Sequence, residues 1–155
     1  MADMLDLDVP KLKNDKFTVV ECEPNEEQLT LMGEIQERAK AIQNKMVDPS
    51  QDNMLKICHD GKLLATDIRL IDEFGDNYDD SKLNVCVDNV VAKYHEYEAD
   101  KGTQIIFSDI GVPGGANEEK FGVYKYLKER MIEKGITENE ICFIHAAKGS
   151  KARAQ

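Results

Sequence analysis

A glycine-rich segment between an apolar run and a helix is the part of the sequence whose residue types could hold a phosphate. The apolar run is Ile105–Phe107, the glycines fall within Gly111–Gly115, and a helix is expected to begin at Asn117. Glycines let backbone N–H groups approach an anion, and a helix N-terminus attracts negative charge. However, no Lys-Ser or Lys-Thr pair follows the glycines, so this is not a Walker A loop. Asp109 would also oppose a phosphate, and a plain surface loop is the alternative.

No other set of residues has the spacing that catalysis or metal binding requires. The four cysteines and three histidines are scattered along the chain, whereas metal and redox sites need closely spaced ligands. We therefore expect reduced, mostly buried thiols and no metal site. No nucleophile elbow is present, and the acidic residues are too numerous for one pair to stand out. Pattern alone predicts a soluble α/β domain without visible catalytic machinery.

The charge is distributed unevenly, and this limits where nucleic acid could bind. The net charge is −10. Residues 1–100 hold 11 basic and 23 acidic side chains, whereas residues 101–155 hold 9 basic and 7 acidic ones. Because an acidic surface repels phosphate, a DNA contact is expected only in the C-terminal third. No apolar run approaches the roughly 20 residues of a membrane span, and the N-terminus does not resemble a secretory signal, so a cytoplasmic location is predicted.

The first half of the chain is predicted to be mostly helical. Phe17–Glu23 has the composition of a short strand, and the apolar spacing from Glu26 to about Lys45 is that of an amphipathic helix. Ser50 is expected to cap a second helix over roughly Gln51–His59, and Asp60-Gly61 to end it. The acidic stretch Asp72–Asp80 is predicted to be a loop and an internal boundary.

The second half shows the alternation of helices and strands that is typical of a parallel sheet. Ser81 is expected to cap a long helix that runs to about Asp100. Gln104–Phe107 and Ile141–Ile144 resemble strands buried on both faces, and a helix from Asn117 to Gly135 would connect them. Only two such strands occur where an open sheet commonly has about five, so the chain is expected to be a piece of a larger domain.

Taken in order, these segments resemble the linker and second lobe of superfamily 2 helicase-like DNA translocases of the chromatin-remodeller type. The likeness is to the helicase and adenine-specific DNA methylase fusion proteins of bacterial phages and mobile elements. The segments that carry it, in chain order, are Asp3–Leu12, Phe17–Gln28, Asp52–Asp72, the helix start Ser81-Lys82-Leu83, Thr103–Asp109 and Ile141–His145. Of these, Thr103–Asp109 resembles helicase motif IV, the first strand of the second lobe.

The resemblance implies a partial RecA-like fold of the P-loop NTPase type, a three-layer sandwich with a parallel sheet. Residues 1–80 would be a linker and helical segment, and residues 81–155 the first part of the second motor lobe. In the intact parent, ATP and Mg²⁺ would be bound, with duplex DNA and the first RecA-like lobe as partners. The motifs that grip ATP are absent here, so this piece alone should not hydrolyse ATP.

The resemblance also implies which residues would touch the DNA backbone. They are Ser108, Asp109, Gly111, Gly114, Gly115, Lys148 and Lys151. Hydroxyls, backbone amides and lysines position a DNA backbone without reading its sequence. Two alternatives stay open. One is a free-standing, non-enzymatic α/β binding module that uses the loop over residues 108–117 for an anionic ligand or a protein partner, and the other is a small enzyme of unknown reaction.

Overall fold

The computed structural model describes residues 17–111 and 121–144, and these residues form two helical hairpins. The helices are α1 (Glu26–Gln43), α2 (Met54–Thr66), α3 (Lys82–Glu96) and α4 (Val123–Glu133), with 3₁₀ turns at Ile68–Leu70 and Glu138–Glu140. Helix α1 packs on α2, and α3 packs on α4. The described residues contain no strand, so the predicted α/β fold, a partial RecA-like sandwich with a parallel sheet, is wrong for this part of the chain.

The prediction failed at the three apolar runs that were expected to be strands. Phe17–Glu23, Gln104–Phe107 and Ile141–Ile144 have neither helix nor strand assignment, apart from a single 3₁₀ residue at Ile144. An apolar, β-branched run becomes a strand only when a neighbour takes up its backbone hydrogen bonds, and composition does not supply that neighbour. Here the apolar faces of the helices bury one another, and the three runs stay at the periphery.

The first hairpin confirms the helix predicted from Glu26 and corrects the start of the second. Asn25 caps α1 in a capping box, because the Gln28 N–H donates to Asn25 Oδ1 at 2.7 Å and the Asn25 N–H donates to Gln28 Oε1 at 3.1 Å. Ser50 does not cap α2, since its hydroxyl donates to Asp48 Oδ1 at 2.6 Å. Asn53 is the cap instead, so the helix begins at Met54.

Helix α2 also continues through Asp60-Gly61, where a turn was predicted. The Arg38 guanidinium donates to Asp60 Oδ2 at 2.8 Å and to Asp52 Oδ2 at 2.8 Å, so α1 fixes the middle of α2 and the residue before its N-cap. Beyond Gly61 the apolar face resumes with the fully buried Leu64. Burial of that face compensates for the low helix propensity of one glycine, which costs about 1 kcal/mol relative to alanine.

In the second hairpin, the predicted cap at Ser81 is confirmed, since its hydroxyl accepts from the Asn84 N–H at 3.3 Å. The loop predicted at Asp72–Asp80 is also present, with no helix or strand. Helix α4 begins at Val123, and the expected cap Asn117 lies outside the described residues. Gly135, with φ of 99°, follows the end of α4, where the sequence pattern predicted a terminating glycine.

Each hairpin has its own buried core, and side chains of α2 and of the 3₁₀ turn after it join the two cores. The first core consists of Ile35, Ile57, Leu64 and Ile68, and the second of Leu83, Val87, Ile110, Val123, Leu127, Met131 and Ile136. Leu63 and Leu70, next to the first core, pack against the second one. Ile110 belongs to the second core, and it therefore anchors the predicted site loop to α3 and α4.

Candidate functional site

The predicted DNA-contact loop is held against α4 by its own hydrogen bonds. The Ser108 hydroxyl donates to the Ile110 carbonyl at 3.1 Å and accepts from the Ile110 N–H at 3.3 Å. The Tyr124 hydroxyl donates to the Ser108 carbonyl at 2.7 Å. Ile110 is buried beneath the loop. The polar groups of Ser108 are thus engaged within the chain, which argues for a positioned turn rather than for a free hydroxyl that could contact phosphate.

Asp109 is at the surface of this loop and forms an ion pair with Lys62 of α2. The side chain of Asp109 is 76% exposed and that of Lys62 is 55% exposed, so both remain accessible to a ligand. The lysine hydrogen bond lowers the pKa of the Asp109 carboxyl below its ordinary value. The carboxylate is therefore charged at neutral pH, and the pair is lost only as the pH falls through that lowered pKa. The pair also neutralises the charge that would repel a phosphate.

Sequence reasoning did not find Lys62 as a site residue. It lies 47 positions from Asp109, and nothing in the pattern of α2 distinguishes it from the other exposed lysines. Only the packing of the two hairpins places it beside the loop.

Gly111 occupies a position that other residues would strain. Its φ is 67°, in the left-handed region, and a Cβ there would lie 3.0 Å from Val123 Cγ2 and 3.1 Å from Val123 Cβ. The glycine is thus required by backbone conformation and by the close approach of α4, whether or not it contacts a ligand. Backbone conformation and packing therefore explain why position 111 is a glycine, which the sequence pattern alone did not explain.

We expect Gly111→Ala to destabilise the chain by about 1–2 kcal/mol, because left-handed backbone and the contact with Val123 both penalise the added methyl group. Thermal unfolding followed by circular dichroism measures this. Gly61→Ala is the matched control, since Gly61 is within a helix and, apart from its own helix backbone and chain neighbours, no atom lies within 4 Å of the place that its added methyl group would take. A loss of stability in the control equal to that of Gly111→Ala would contradict the explanation.

Of the seven predicted contact residues, three lie in the described part of the chain. The structure places Ser108, Asp109 and Gly111 together in one turn. Gly114, Gly115, Lys148 and Lys151 lie outside the described residues, as does the rest of the loop over residues 112–117.

Among the residues that the structure describes, the most deeply buried polar side chain lies elsewhere, where the two hairpins meet. Asp67 is 2% exposed, and its carboxylate accepts from Arg69 Nε at 2.7 Å and from Arg69 Nη2 at 2.8 Å. The Arg69 guanidinium lies over the rings of Phe121 and Tyr126, 4.1 and 4.2 Å from their centroids, and these two rings pack against each other. The Tyr126 hydroxyl donates to Asn84 Oδ1 at 2.6 Å. These polar partners are all internal, so this cluster joins the hairpins and offers no position for a substrate.

The part of the chain that the structure describes offers no other group of side chains suited to catalysis or metal binding. No group of three or more His, Cys, Asp or Glu side chains converges on a possible metal position. The four cysteines are unpaired, and Cys58 and Cys142 are exposed, contrary to the expectation of mostly buried thiols. A cavity of about 160 Å³ between α1, α2 and the start of α3 has a mostly apolar wall that includes Met32, Leu64 and Ala65. These features do not form a catalytic set.

Comparison with known protein families, with curated proteins and with solved structures finds no match to this chain. Among the residues that the structure describes, no helix is both long enough and apolar enough to cross a bilayer.

Proposed function

We propose that this chain is a non-catalytic part of an ATP-dependent DNA translocase, which contacts the DNA backbone beside the turn Ser108–Gly111. Support for the translocase comes from the order of the sequence segments that resemble such motors. The geometry adds the Lys62–Asp109 ion pair, and this observation carries the proposal. The pair neutralises the carboxylate of Asp109, which would otherwise repel a phosphate, and it places a half-exposed ammonium group beside the loop. Lysine contacts of this kind hold a phosphate without reading the base sequence.

The proposal does not require a parallel sheet within the described residues. It assigns the chain a contact role and leaves ATP, Mg²⁺ and the hydrolytic residues to the rest of the parent polypeptide, including its first RecA-like lobe. A cytoplasmic location fits this proposal, because the exposed thiols of Cys58 and Cys142 would stay reduced there.

The proposal predicts that Lys62→Glu weakens duplex DNA binding by the chain. We expect wild-type binding to be weak because of the acidic surface, so the titration is done at low salt with a fluorescent duplex. The variant should lower the affinity and reduce the slope of log K against log salt concentration by about 1, which corresponds to one lost phosphate contact. Fluorescence anisotropy over a series of salt concentrations measures both quantities.

Lys40→Glu is the matched control for this experiment. Lys40 is also an exposed helical lysine that pairs with a carboxylate, Glu37, and its replacement changes the net charge by the same amount. Equal effects of the two variants would refute a specific contact at Lys62. The alternative of a free-standing module for a small anion predicts instead that inorganic phosphate binds and that DNA does not. ATP turnover by the purified chain would favour a small enzyme.

A further inference from the structure

The cavity of about 160 Å³ between α1, the end of α2 and the start of α3 has the size and the wall of a site for one small ring. Met32 of α1 and Leu64 and Ala65 of α2 supply apolar wall. Cys22 and Pro24, which precede α1, also line the cavity. An apolar cavity of about 150 Å³ is large enough to hold benzene. The space therefore suits a single ring and is too small for a nucleotide or a peptide.

The wall also contains one buried hydroxyl group whose hydrogen is not used. Ser81 lines the cavity and is 7% exposed, and its oxygen accepts from the Asn84 N–H. A hydroxyl can donate as well as accept, but the Ser81 hydrogen has no acceptor among the residues that the structure describes. The other uncharged polar group, the Gln28 amide, is fully engaged, with the Leu64 carbonyl and the Asn25 N–H. The cavity thus has a single unused hydroxyl donor in mostly apolar surroundings.

Charged side chains at the mouth of the cavity disfavour an anionic ligand. Glu23, Asp80 and Lys82 line the cavity and are exposed, so two negative charges and one positive charge surround the opening. An anion would meet a net repulsion there. Any charged ligand would also lose its hydration against the apolar wall, which is costly without a partner of opposite charge. A neutral ligand avoids both costs.

We propose that this cavity binds a small, neutral ring compound that carries one hydrogen-bond acceptor. The ring lies against Met32 and Leu64, and the acceptor takes the hydrogen of the Ser81 hydroxyl. The side chains of leucine and phenylalanine also fill apolar cavities, but they have no acceptor, so the unused donor favours a small molecule over an inserted protein side chain. Sites for small molecules commonly combine an apolar wall with a few polar groups that fix the orientation of the ligand.

Titration of the isotope-labelled chain with toluene and with benzonitrile, followed by the NMR signals of the backbone amides, tests the site. The two probes share a benzene ring, and only benzonitrile carries an acceptor. Both should bind saturably and shift the amide signals of Met32, Leu64 and Ala65. The absence of saturable binding, or shifts confined to residues outside the cavity, would overturn the proposal.

Ser81→Ala tests the hydrogen bond. Loss of one hydrogen bond should weaken benzonitrile binding about two- to tenfold. Toluene binding should not change, and this also shows that the cavity survives the loss of the N-cap of α3. If the substitution weakens both probes equally, or neither of them, the hydroxyl is not the group that holds the acceptor.

Ala65→Leu tests the cavity itself. The added carbons occupy part of the space, so both probes should bind at least about tenfold more weakly. Ala92→Leu is the matched control, because Ala92 is also an exposed helical alanine but does not line the cavity. Leucine is a good helix former, so both variants should fold. Equal effects of the two variants would place the probes somewhere other than the cavity.

This inference does not rest on the proposed DNA contact. Lys62 and Asp109 do not line the cavity. The affinity for a neutral probe should not depend on salt concentration, whereas the affinity for DNA should. Ala65→Leu should bind DNA as the wild type does, so each of the two proposals can fail without the other.

Discussion

Replacement of Asp67 by alanine should destabilise the chain by about 3–5 kcal/mol, because it leaves the guanidinium of Arg69 buried without its carboxylate. The side chain of Arg69 is only 13% exposed and lies over two adjacent aromatic rings. Burial alone would lower the pKa of Arg69, but its hydrogen bonds to Asp67 and Tyr126 more than offset this and raise it. An arginine side chain keeps its charge in proteins even without such a partner, so the substitution leaves a buried, unpaired charge. Urea unfolding followed by circular dichroism measures the loss.

Two variants test this explanation. Asp79→Ala removes a carboxylate that is exposed at the surface of the adjacent loop, and we expect a change within about 0.5 kcal/mol. The double variant Asp67→Leu, Arg69→Met removes both charges and should cost clearly less than the sum of Asp67→Leu and Arg69→Met measured singly, since no unpaired charge remains. Strict additivity of the two single effects would show that the residues do not act as a pair.

Replacement of Leu64 by alanine should cost about 2–5 kcal/mol. Leu64 is 1% exposed, belongs to the core of the first hairpin and lines the cavity of about 160 Å³ between α1, α2 and α3. Truncation both removes buried apolar surface and enlarges an existing void that the surrounding helices only partly fill. Urea unfolding with a fitted slope distinguishes a lower stability from a change in the unfolded state.

Leu55→Ala is the control, because Leu55 lies in the same helix and is 80% exposed. Alanine is the better helix former, so the control should stay within about 0.5 kcal/mol of the wild type. A loss in the control as large as that at Leu64 would mean that the chain does not use the core described for the first hairpin.

The local features of the helices could be predicted from sequence, because they depend on residues close together in the chain. The helix from Glu26, the cap at Ser81 and the glycine at 135 after the last helix were all predicted and are confirmed. Where prediction failed locally, at Ser50 and at Asp60-Gly61, a competing hydrogen bond or a distant partner decided the outcome. Asp48 engages the Ser50 hydroxyl, and Arg38 of α1 holds Asp60 within α2.

The fold class could not be predicted, since it depends on which segments find partners. The run Gln104–Phe107 has the composition of a buried strand, but its outer side chains are exposed. A strand needs hydrogen bonds from another segment, and no count of apolar residues reports whether one is adjacent. The α/β prediction is wrong because apolar, β-branched composition shows only that a run can form a strand, and not that a partner strand lies beside it.

In the candidate site, too, some features depend on neighbouring residues and others on contacts between residues that are distant in sequence. The turn Ser108–Gly111, the helix after it and the uneven charge follow from the order of residues in the chain, because neighbouring residues specify them. Three contacts depend on the folded arrangement: the pairing of Lys62 with Asp109, the approach of Gly111 to Val123, and the position of Arg69 over two aromatic rings. These contacts join residues that are distant in sequence, and the packing of the helices, rather than any local pattern, brings them together.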